Sequence, residues 1–138
     1  MKKKKAYIDT YQSIYPVELV VANSAVTIDQ LRKLFVEPDG DELSDYDMTN
    51  RAAVVAKVIR KSNNHAVLLV RMGSEDKYYK DKNERKIEYI CTIAHEAGHV
   101  VLNTWKRIEE YETVECQEPF CYYLEWVVKC ICKTVFKK

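Results

Sequence analysis

The sequence predicts an α+β fold, in which a mixed or antiparallel sheet of three or four strands packs against two long helices. Three observations support this prediction. Aliphatic and β-branched runs occupy residues 17–21, 53–59 and 66–70, apolar residues recur at roughly helical spacing over residues 84–107, and a second helical pattern begins near residue 118. Strands and helices alternate too irregularly for a doubly wound parallel sheet.

The N-terminal part contains a predicted strand over residues 16–21 and a predicted short helix. Thr27-Ile28-Asp29-Gln30 resembles a capping box, which indicates that a helix begins there. We expect it to extend to about Phe35, with an apolar stripe formed by Leu31, Leu34 and Phe35. Pro38-Asp39-Gly40 should then form a turn, and the acidic residues 41–47 a surface loop.

Residues 53–59 and 66–70 are two β-rich runs that flank the polar tetrad Ser62-Asn63-Asn64-His65. This arrangement predicts a β-hairpin. His65 lies at the expected turn, so we predict that it is exposed and takes no part in metal binding.

Two long helices are expected after the hairpin. The first covers about residues 84–107, and the second begins near Glu118 or Pro119, since proline is favourable at the first helical position. The first has these apolar positions at helical spacing: Ile87, Ile90, Cys91, Ala94, Val101, Leu102 and Trp105. The second is expected to pack against the first through Phe120, Leu124, Val127, Val128 and Ile131.

Length and charge limit the classes of function. A chain of 138 residues with a net charge of +1 is expected to form one domain and offers no general attraction to nucleic acid or to membranes. Residues 1–6 should be a flexible basic tail. Asp9 and Glu18 interrupt the region that a secretory signal would need to be apolar, so we expect a soluble, cytoplasmic protein.

The five cysteines are consistent with a reducing compartment, because their number is odd. Cys91, Cys121, Cys130 and Cys132 lie in apolar helical surroundings and are expected to be buried, reduced thiols. Together with Cys116 they form no pair of CxxC motifs, which argues against a finger-type zinc site.

Residues 92–101 contain two of the three histidines of the chain. His95 and His99 are four residues apart and therefore share one face of the predicted helix, so that both imidazoles can bind one ion. Glu96 directly follows the first histidine. This is the HExxH pattern of zinc peptidases, where two neutral histidines bind Zn²⁺ and the glutamate activates a water molecule.

Gly98 lies inside this motif, although a glycine within a helix costs ~1 kcal/mol relative to alanine. The neighbouring positions 97, 100 and 101 are uncharged, as expected for a helix buried against a core. We therefore expect the missing side chain to let another backbone segment approach the metal face.

A catalytic zinc site usually has three protein ligands and leaves a further position for water. The candidates for the third ligand are Glu110, Glu112, Glu115, Glu118 and Cys116. Glu118 is favoured because it stands at the start of a helix that should pack against the HExxH helix, and a rigid element positions a ligand better than a loop does. Cys116 would replace it if the site had thiolate character.

The segment 95–99, followed by Glu118 and by Tyr123-Leu124-Glu125-Trp126, resembles small gluzincin-type zinc metallopeptidases. More narrowly, residues 50–130 resemble short metallopeptidase-like proteins encoded by bacteriophages and prophages of gut Bacteroidetes. This resemblance implies a zincin-like domain in which His95, His99 and Glu118 bind Zn²⁺ and Glu96 is the catalytic base.

The chain departs from that pattern at Tyr122, where many gluzincins have an aspartate that orients a histidine. Glu125 or a backbone carbonyl would then have to accept the second N–H of the histidine. Tyr122 shares a face with Glu118 and is the first candidate to stabilise the tetrahedral intermediate, followed by Tyr123 and Tyr111. A peptide or protein substrate is expected to add as a strand along a sheet edge.

Three functions remain open from the sequence. The first is a zinc peptidase, the second is a zinc-binding phage accessory protein that interacts without cleaving, and the third is a zinc hydrolase of other substrates. The peptidase is favoured because a purely structural site, closed by four protein ligands, has no use for Glu96. The cleavage specificity and the oligomeric state cannot be predicted from these patterns.

Overall fold

The centre of the molecule is a mixed β-sheet. The computed structural model describes residues 3–46, 48, 51–75, 81–110 and 117–138. Within them the strands are β1 Ile8–Tyr11, β2 Glu18–Ala22, β3 Phe35–Val36, β4 Ala53–Arg60 and β5 Ala66–Met72, and the helices are α1 Ile28–Arg32, α2 Lys82–Ile108 and α3 Glu118–Val135. The strand order is β1-β2-β5-β4-β3. The α+β prediction is confirmed, but the described part has five strands rather than three or four.

The predicted hairpin is the core of this sheet. β4 and β5 pair antiparallel from Ala53 opposite Met72 to Ile59 opposite Ala66, and His65 is exposed at the turn as expected. β2 pairs with β5 in parallel, whereas β1 pairs with β2 antiparallel. The sheet is therefore mixed because of one parallel pair, which joins the N-terminal part of the chain to the hairpin.

Each face of the sheet has its own apolar core, because successive side chains of a strand point to opposite faces. Leu19, Val21, Leu68 and Val70 pack with residues of α2 and α3. The neighbouring positions on the same strands pack on the other face with Leu31, Phe35 and Leu43; they are Val20, Ala22, Val67 and Leu69. The two long helices thus cover one face, as predicted, and the second core was not foreseen.

The capping box of α1 is present, since the Thr27 side chain accepts from the Gln30 amide and the Gln30 side chain accepts from the Thr27 amide. The helix ends at Arg32, so its expected extension to about Phe35 is wrong. The Leu34 carbonyl instead accepts a hydrogen bond of 2.8 Å from Lys61, and Phe35 enters β3 beside β4. The chain therefore pairs with β4 where a further turn of α1 was expected. Leu34 is 39% exposed as a result.

The segment expected to be a flexible tail is attached to the fold from Lys5 onward. The Asn23 side chain donates to the Lys5 carbonyl at 2.9 Å and accepts from the Tyr7 amide at 3.1 Å. Ala6 packs against the core that lies opposite α2 and α3. The prediction of a free tail over residues 1–6 is therefore wrong for Lys5 and Ala6.

Helix α2 agrees with its predicted bounds to within two residues, and the Asp81 side chain caps it by accepting from the Glu84 amide at 2.9 Å. Its buried face differs from the prediction. Of the expected stripe only Val101 and Trp105 are buried, while Ile87, Ile90, Cys91, Ala94 and Leu102 are exposed. The face that packs instead is Tyr89, Ile93, Glu96, Ala97, Val100, Val101, Thr104 and Trp105. Both faces have helical spacing, so periodicity alone could not choose between them.

Helix α3 begins at Glu118 with Pro119 in its first turn, as predicted, and runs antiparallel to α2. The Tyr123 and Thr104 hydroxyls are 3.1 Å apart, and the rings of Phe120 and Trp105 are 6.0 Å apart. No helix in the described ranges is long and apolar enough to cross a membrane.

The cysteines only partly follow the expectation of buried thiols. Cys130 is buried, and burial raises the pKa of its thiol to about 11, although Lys133 and Lys129 oppose this. Cys132 is half-buried, whereas Cys91 and Cys121 are exposed, so the prediction is wrong for these two. Both lie on exposed parts of α2 and α3, which apolar neighbours in the sequence did not reveal. Cys116 lies outside the described residues.

Gly73 joins the end of β5 to the beginning of β4 and to α2. Its amide donates to the Ala52 carbonyl at 2.7 Å, and its carbonyl accepts from the Tyr89 hydroxyl at 3.1 Å. A Cβ atom at position 73 would lie 2.5 Å from the Ala52 carbonyl oxygen. Only glycine permits this close approach, which holds residues 51–53 in place beside α2.

Gly73→Ala is therefore expected to lower the free energy of unfolding by about 1–3 kcal/mol, because the strand ends must separate to accept the methyl group. Chemical denaturation of the variant and the wild type measures the change. Gly40→Ala is a useful comparison, since its cost should come from its positive φ of 91° and not from a clash. Unchanged stability of Gly73→Ala would show that the contact is not tight.

Candidate functional site

The two histidines of the HExxH motif meet on an exposed side of α2. The His95 Nε2 and His99 Nε2 atoms are 3.1 Å apart, and both side chains are exposed. Two nitrogens that each lie 2.0–2.1 Å from a tetrahedral zinc ion would be about 3.3 Å apart. The spacing of the pair therefore fits two ligands of one ion, although one neutral imidazole could also donate a hydrogen bond to the other at this distance.

Glu96 lies on the inner side of the same helix turn and is only 7% exposed. Burial raises the pKa of its carboxyl group, and the neighbouring His95 and His99 oppose this shift. A carboxylate with a raised pKa is a stronger base, which suits a group that must take up a proton. The motif thus divides into two exposed ligand candidates and one partly desolvated carboxyl group.

Glu96 and His95 line a shallow cavity of about 390 Å³, widely open to solvent, between α2 and the start of β4. The remaining lining residues are Arg51, Ala52, Ala53, Cys91 and Thr92. The close contact of Gly73 with Ala52 holds the strand side of this cavity. The cavity therefore has the helical motif on one side and the beginning of a strand on the other.

The strand beside this cavity has an open edge. β4 pairs with β5 along its length on one side, but β3 pairs only with Ile59 and Arg60 on the other. Over residues 53–58 the second side of β4 has no strand partner in the described part of the chain. An unpaired edge presents backbone N–H and C=O groups to which an extended peptide can bind. Here that edge begins at the cavity that contains His95 and Glu96.

Glu118, the predicted third ligand, is not brought to the histidine pair. Tyr123 lies beside Thr104, which is about 8 Å along α2 from His99 at 1.5 Å per residue. Because the helices are antiparallel, going back from Tyr123 to Glu118 adds roughly another 8 Å of axial distance. Among the described residues, no three His, Cys, Asp or Glu side chains form a group that could hold a metal ion.

The other candidates for the third ligand divide into two groups. Glu110 is exposed just beyond the end of α2, where its amide donates to the Trp105 carbonyl at 2.9 Å. Glu112, Glu115 and Cys116 lie outside the described residues, as does Tyr111. The described geometry therefore brings together two candidate ligands, and the identity of the third stays a prediction.

The tyrosines proposed for catalysis also lie apart from the histidines. Tyr122 is 67% exposed and lines a different cavity with Ile14, Tyr15 and Trp126. Tyr123 is buried, and its hydroxyl pairs with that of Thr104. The structure thus places Tyr123 in the core between α2 and α3 and does not bring Tyr122 to the HExxH motif.

Arg51 is the cationic residue of the cavity that sequence reasoning missed. It lines the same space as His95 and Glu96 and is exposed. An arginine can donate hydrogen bonds to an oxygen that becomes negatively charged during a reaction. The only signal in the sequence was its place directly before a β-rich run, and that signal is too general to identify a site residue.

Among the described residues, no other backbone segment approaches Gly98, contrary to our expectation. Outside its own helical turns, a Cβ atom built at this position meets no described atom within 4 Å. The glycine therefore faces open space beside the histidines, so its packing against the rest of the described chain does not explain it.

Gly98→Ala is expected to raise the free energy of unfolding by about 0.5–1 kcal/mol, because alanine restricts the unfolded chain and favours the helix. Thermal and denaturant unfolding measure this change. Ala94→Gly, at an exposed position one turn earlier in α2, should lower the free energy of unfolding. A loss of stability in Gly98→Ala would mean that the position is occupied in the folded protein.

The site thus combines two converging imidazoles, a buried carboxylate, an arginine and an open strand edge. Comparison of the chain with protein-family models, with curated proteins and with solved structures gives no match.

Proposed function

We propose that this chain is a zinc-dependent peptidase whose metal is bound by His95 and His99 and whose base is Glu96. The observation that supports this best is the 3.1 Å separation of the two Nε2 atoms beside a buried glutamate and an open strand edge. Two exposed imidazoles alone would suit any metal-binding surface. The carboxylate in the adjoining cavity gives the site a group for proton transfer.

Zinc bound at the pair would supply Lewis-acid polarisation of a carbonyl group and of a water molecule. Glu96 takes the proton from the attacking water and delivers it to the amine that leaves. Its buried position keeps the carboxylate basic and fixes its direction. Arg51, which lines the same cavity, would donate to the oxygen that gains negative charge.

The peptide lies along the open edge of β4 in this proposal. Backbone hydrogen bonds to residues 53–58 hold it extended, which requires no particular side chain and is typical of strand addition. The edge starts at Ala53, which lines the cavity with His95 and Glu96. A bound strand therefore passes the histidine pair with its backbone presented to the base.

The second candidate is a zinc-binding protein that interacts with a partner without cleaving it. One observation favours it: the described residues form no group of three or more candidate metal ligands. Such a protein would act inside a bacterial host if it is encoded by a phage, as the sequence resemblance implies. It would bind zinc but leave peptides intact.

Zinc binding and a scan of the third ligand test the proposed centre. The wild type is expected to bind about one Zn²⁺ per chain, and removal of the third ligand should weaken this binding strongly. Glu118→Ala is compared with Glu112→Ala, Glu115→Ala and Cys116→Ala in competition with a chelator. If only Glu118→Ala loses zinc affinity, the predicted third ligand is supported. If one of the other variants loses zinc affinity instead, the residue changed in that variant is the third ligand. If the wild type did not bind zinc, the proposed zinc site at His95 and His99 would be wrong.

A further inference from the structure

A second cavity lies on the same side of the sheet as the histidine pair. It has a volume of about 270 Å³ and is lined by Val17, Lys57, Leu68, Asn103, Lys106 and Arg107. Three of these side chains are cationic, one is an amide, and none is acidic. Within the described ranges, the side chains of the three cationic residues make no ion pair.

This basic cavity and the cavity of Glu96 both lie between α2 and the sheet, and β4 contributes a residue to each. On α2, His95, His99, Asn103 and Arg107 follow one another at intervals of four residues and so form a continuous stripe. On β4, Ala53 borders the first cavity and Lys57 the second, and alternate residues of a strand share a face. The basic cavity is thus about 12 Å from the histidine pair along α2.

Each of the three cations has a structural explanation when it is taken singly. Lys106 and Arg107 are in the last turn of the helix, where positive charge is favourable beside the exposed carbonyls. Lys57 is exposed on β4, where a lysine hinders pairing of the open edge with other strands. These explanations do not account for the lining of one cavity by all three. Three like charges around one cavity repel one another, and a bound anion would relieve this repulsion.

We infer that the basic cavity binds a carboxylate of the substrate, so that the preferred peptides carry an acidic group three or four residues from the bond that is cleaved. This inference rests on the proposed peptidase function. The spacing follows from the distance between the basic cavity and the histidine pair, since about 12 Å of extended peptide corresponds to three or four residues at ~3.3 Å each. The carboxylate is that of an Asp or Glu side chain or of the peptide C-terminus, and Asn103 can add a hydrogen bond.

Cleavage of a degenerate decapeptide library, with sequencing of the products, tests the preference. The best cleaved sequences are then made with Glu or Gln at the preferred position, and with a free or amidated C-terminus, which separates the two sources of the carboxylate. We expect the acid to raise kcat/KM about tenfold over its neutral counterpart. Lys57→Met and Arg107→Gln should remove this preference, and Lys33→Met, an exposed lysine at the end of α1, should keep it.

Binding without cleavage distinguishes failure of this inference from failure of the proposed function. Fluorescence anisotropy measures the affinity of the acidic and the neutral peptide for His95→Ala and for the double variant that also carries Lys57→Met. If no peptide is cleaved but the acidic peptide binds more tightly through Lys57, the carboxylate site stands and the peptidase proposal is wrong. If peptides are cleaved equally well with Glu or Gln and with acid or amide, the carboxylate inference is overturned. A preference that persists in Lys57→Met and Arg107→Gln overturns it as well.

Discussion

Glu96→Gln is expected to lower peptide hydrolysis by about 10²- to 10⁴-fold, the usual contribution of a general acid or base, while zinc binding remains as in the wild type. Glutamine keeps the shape of the side chain but cannot accept the proton of the attacking water. Because Glu96 is buried and its pKa is raised by burial, removing the charge should not lower the free energy of unfolding. Initial rates, zinc content and thermal unfolding are measured on the same preparation.

Glu42→Gln provides the matched control for this prediction. It makes the same chemical change at an exposed glutamate whose neighbour is Arg32, away from α2. Hydrolysis should be unaffected there. Equal rates for the wild type and Glu96→Gln would exclude Glu96 as the base, and zinc binding without hydrolysis in either protein would favour the interaction protein.

His95→Ala and His99→Ala are each expected to weaken zinc binding by more than about 100-fold. Mutation of a residue that only hydrogen-bonds to a metal ligand already lowers metal affinity by about 10- to 100-fold. One imidazole then remains of the pair whose nitrogens are 3.1 Å apart. Both histidines are exposed, so without metal the free energy of unfolding should change by less than about 0.5 kcal/mol. Competition with a chelator measures the affinity.

His65→Ala is the control for the histidine variants, because this residue is exposed at the turn between β4 and β5. It should bind zinc as the wild type does. If either His95→Ala or His99→Ala retained full affinity, the close pair would be a hydrogen bond between imidazoles and not a metal site.

Local patterns were sufficient for the features that depend on nearby residues. The hairpin of β4 and β5, the capping box at Thr27 and the start of α3 beside Pro119 all follow from signals within a few positions. The convergence of His95 and His99 is equally local, because it follows from the helical repeat.

Features that depend on tertiary packing could not be predicted in this way. Two apolar faces of α2 have the same periodicity, and only contact with the sheet and with α3 determines that Ile93 is buried while Ile90 is exposed. The axial position of Glu118 depends on how far α3 slides along α2, which the aromatic contacts of Trp105 decide. β3 is two residues long, and pairing with β4 rather than its own composition defines it.

The parallel pairing of β2 with β5 has a consequence for the order of folding. The β4–β5 and α2–α3 units bring together residues that are close in sequence, so each can form with little loss of chain entropy. Pairing β2 with β5 instead closes a loop of more than 40 residues, as the partners Ala22 and Arg71 show. Addition of the N-terminal strands is therefore the entropically demanding step. The β4–β5 hairpin and the α2–α3 pair, which includes the helix with both histidines, can form before the sheet is complete.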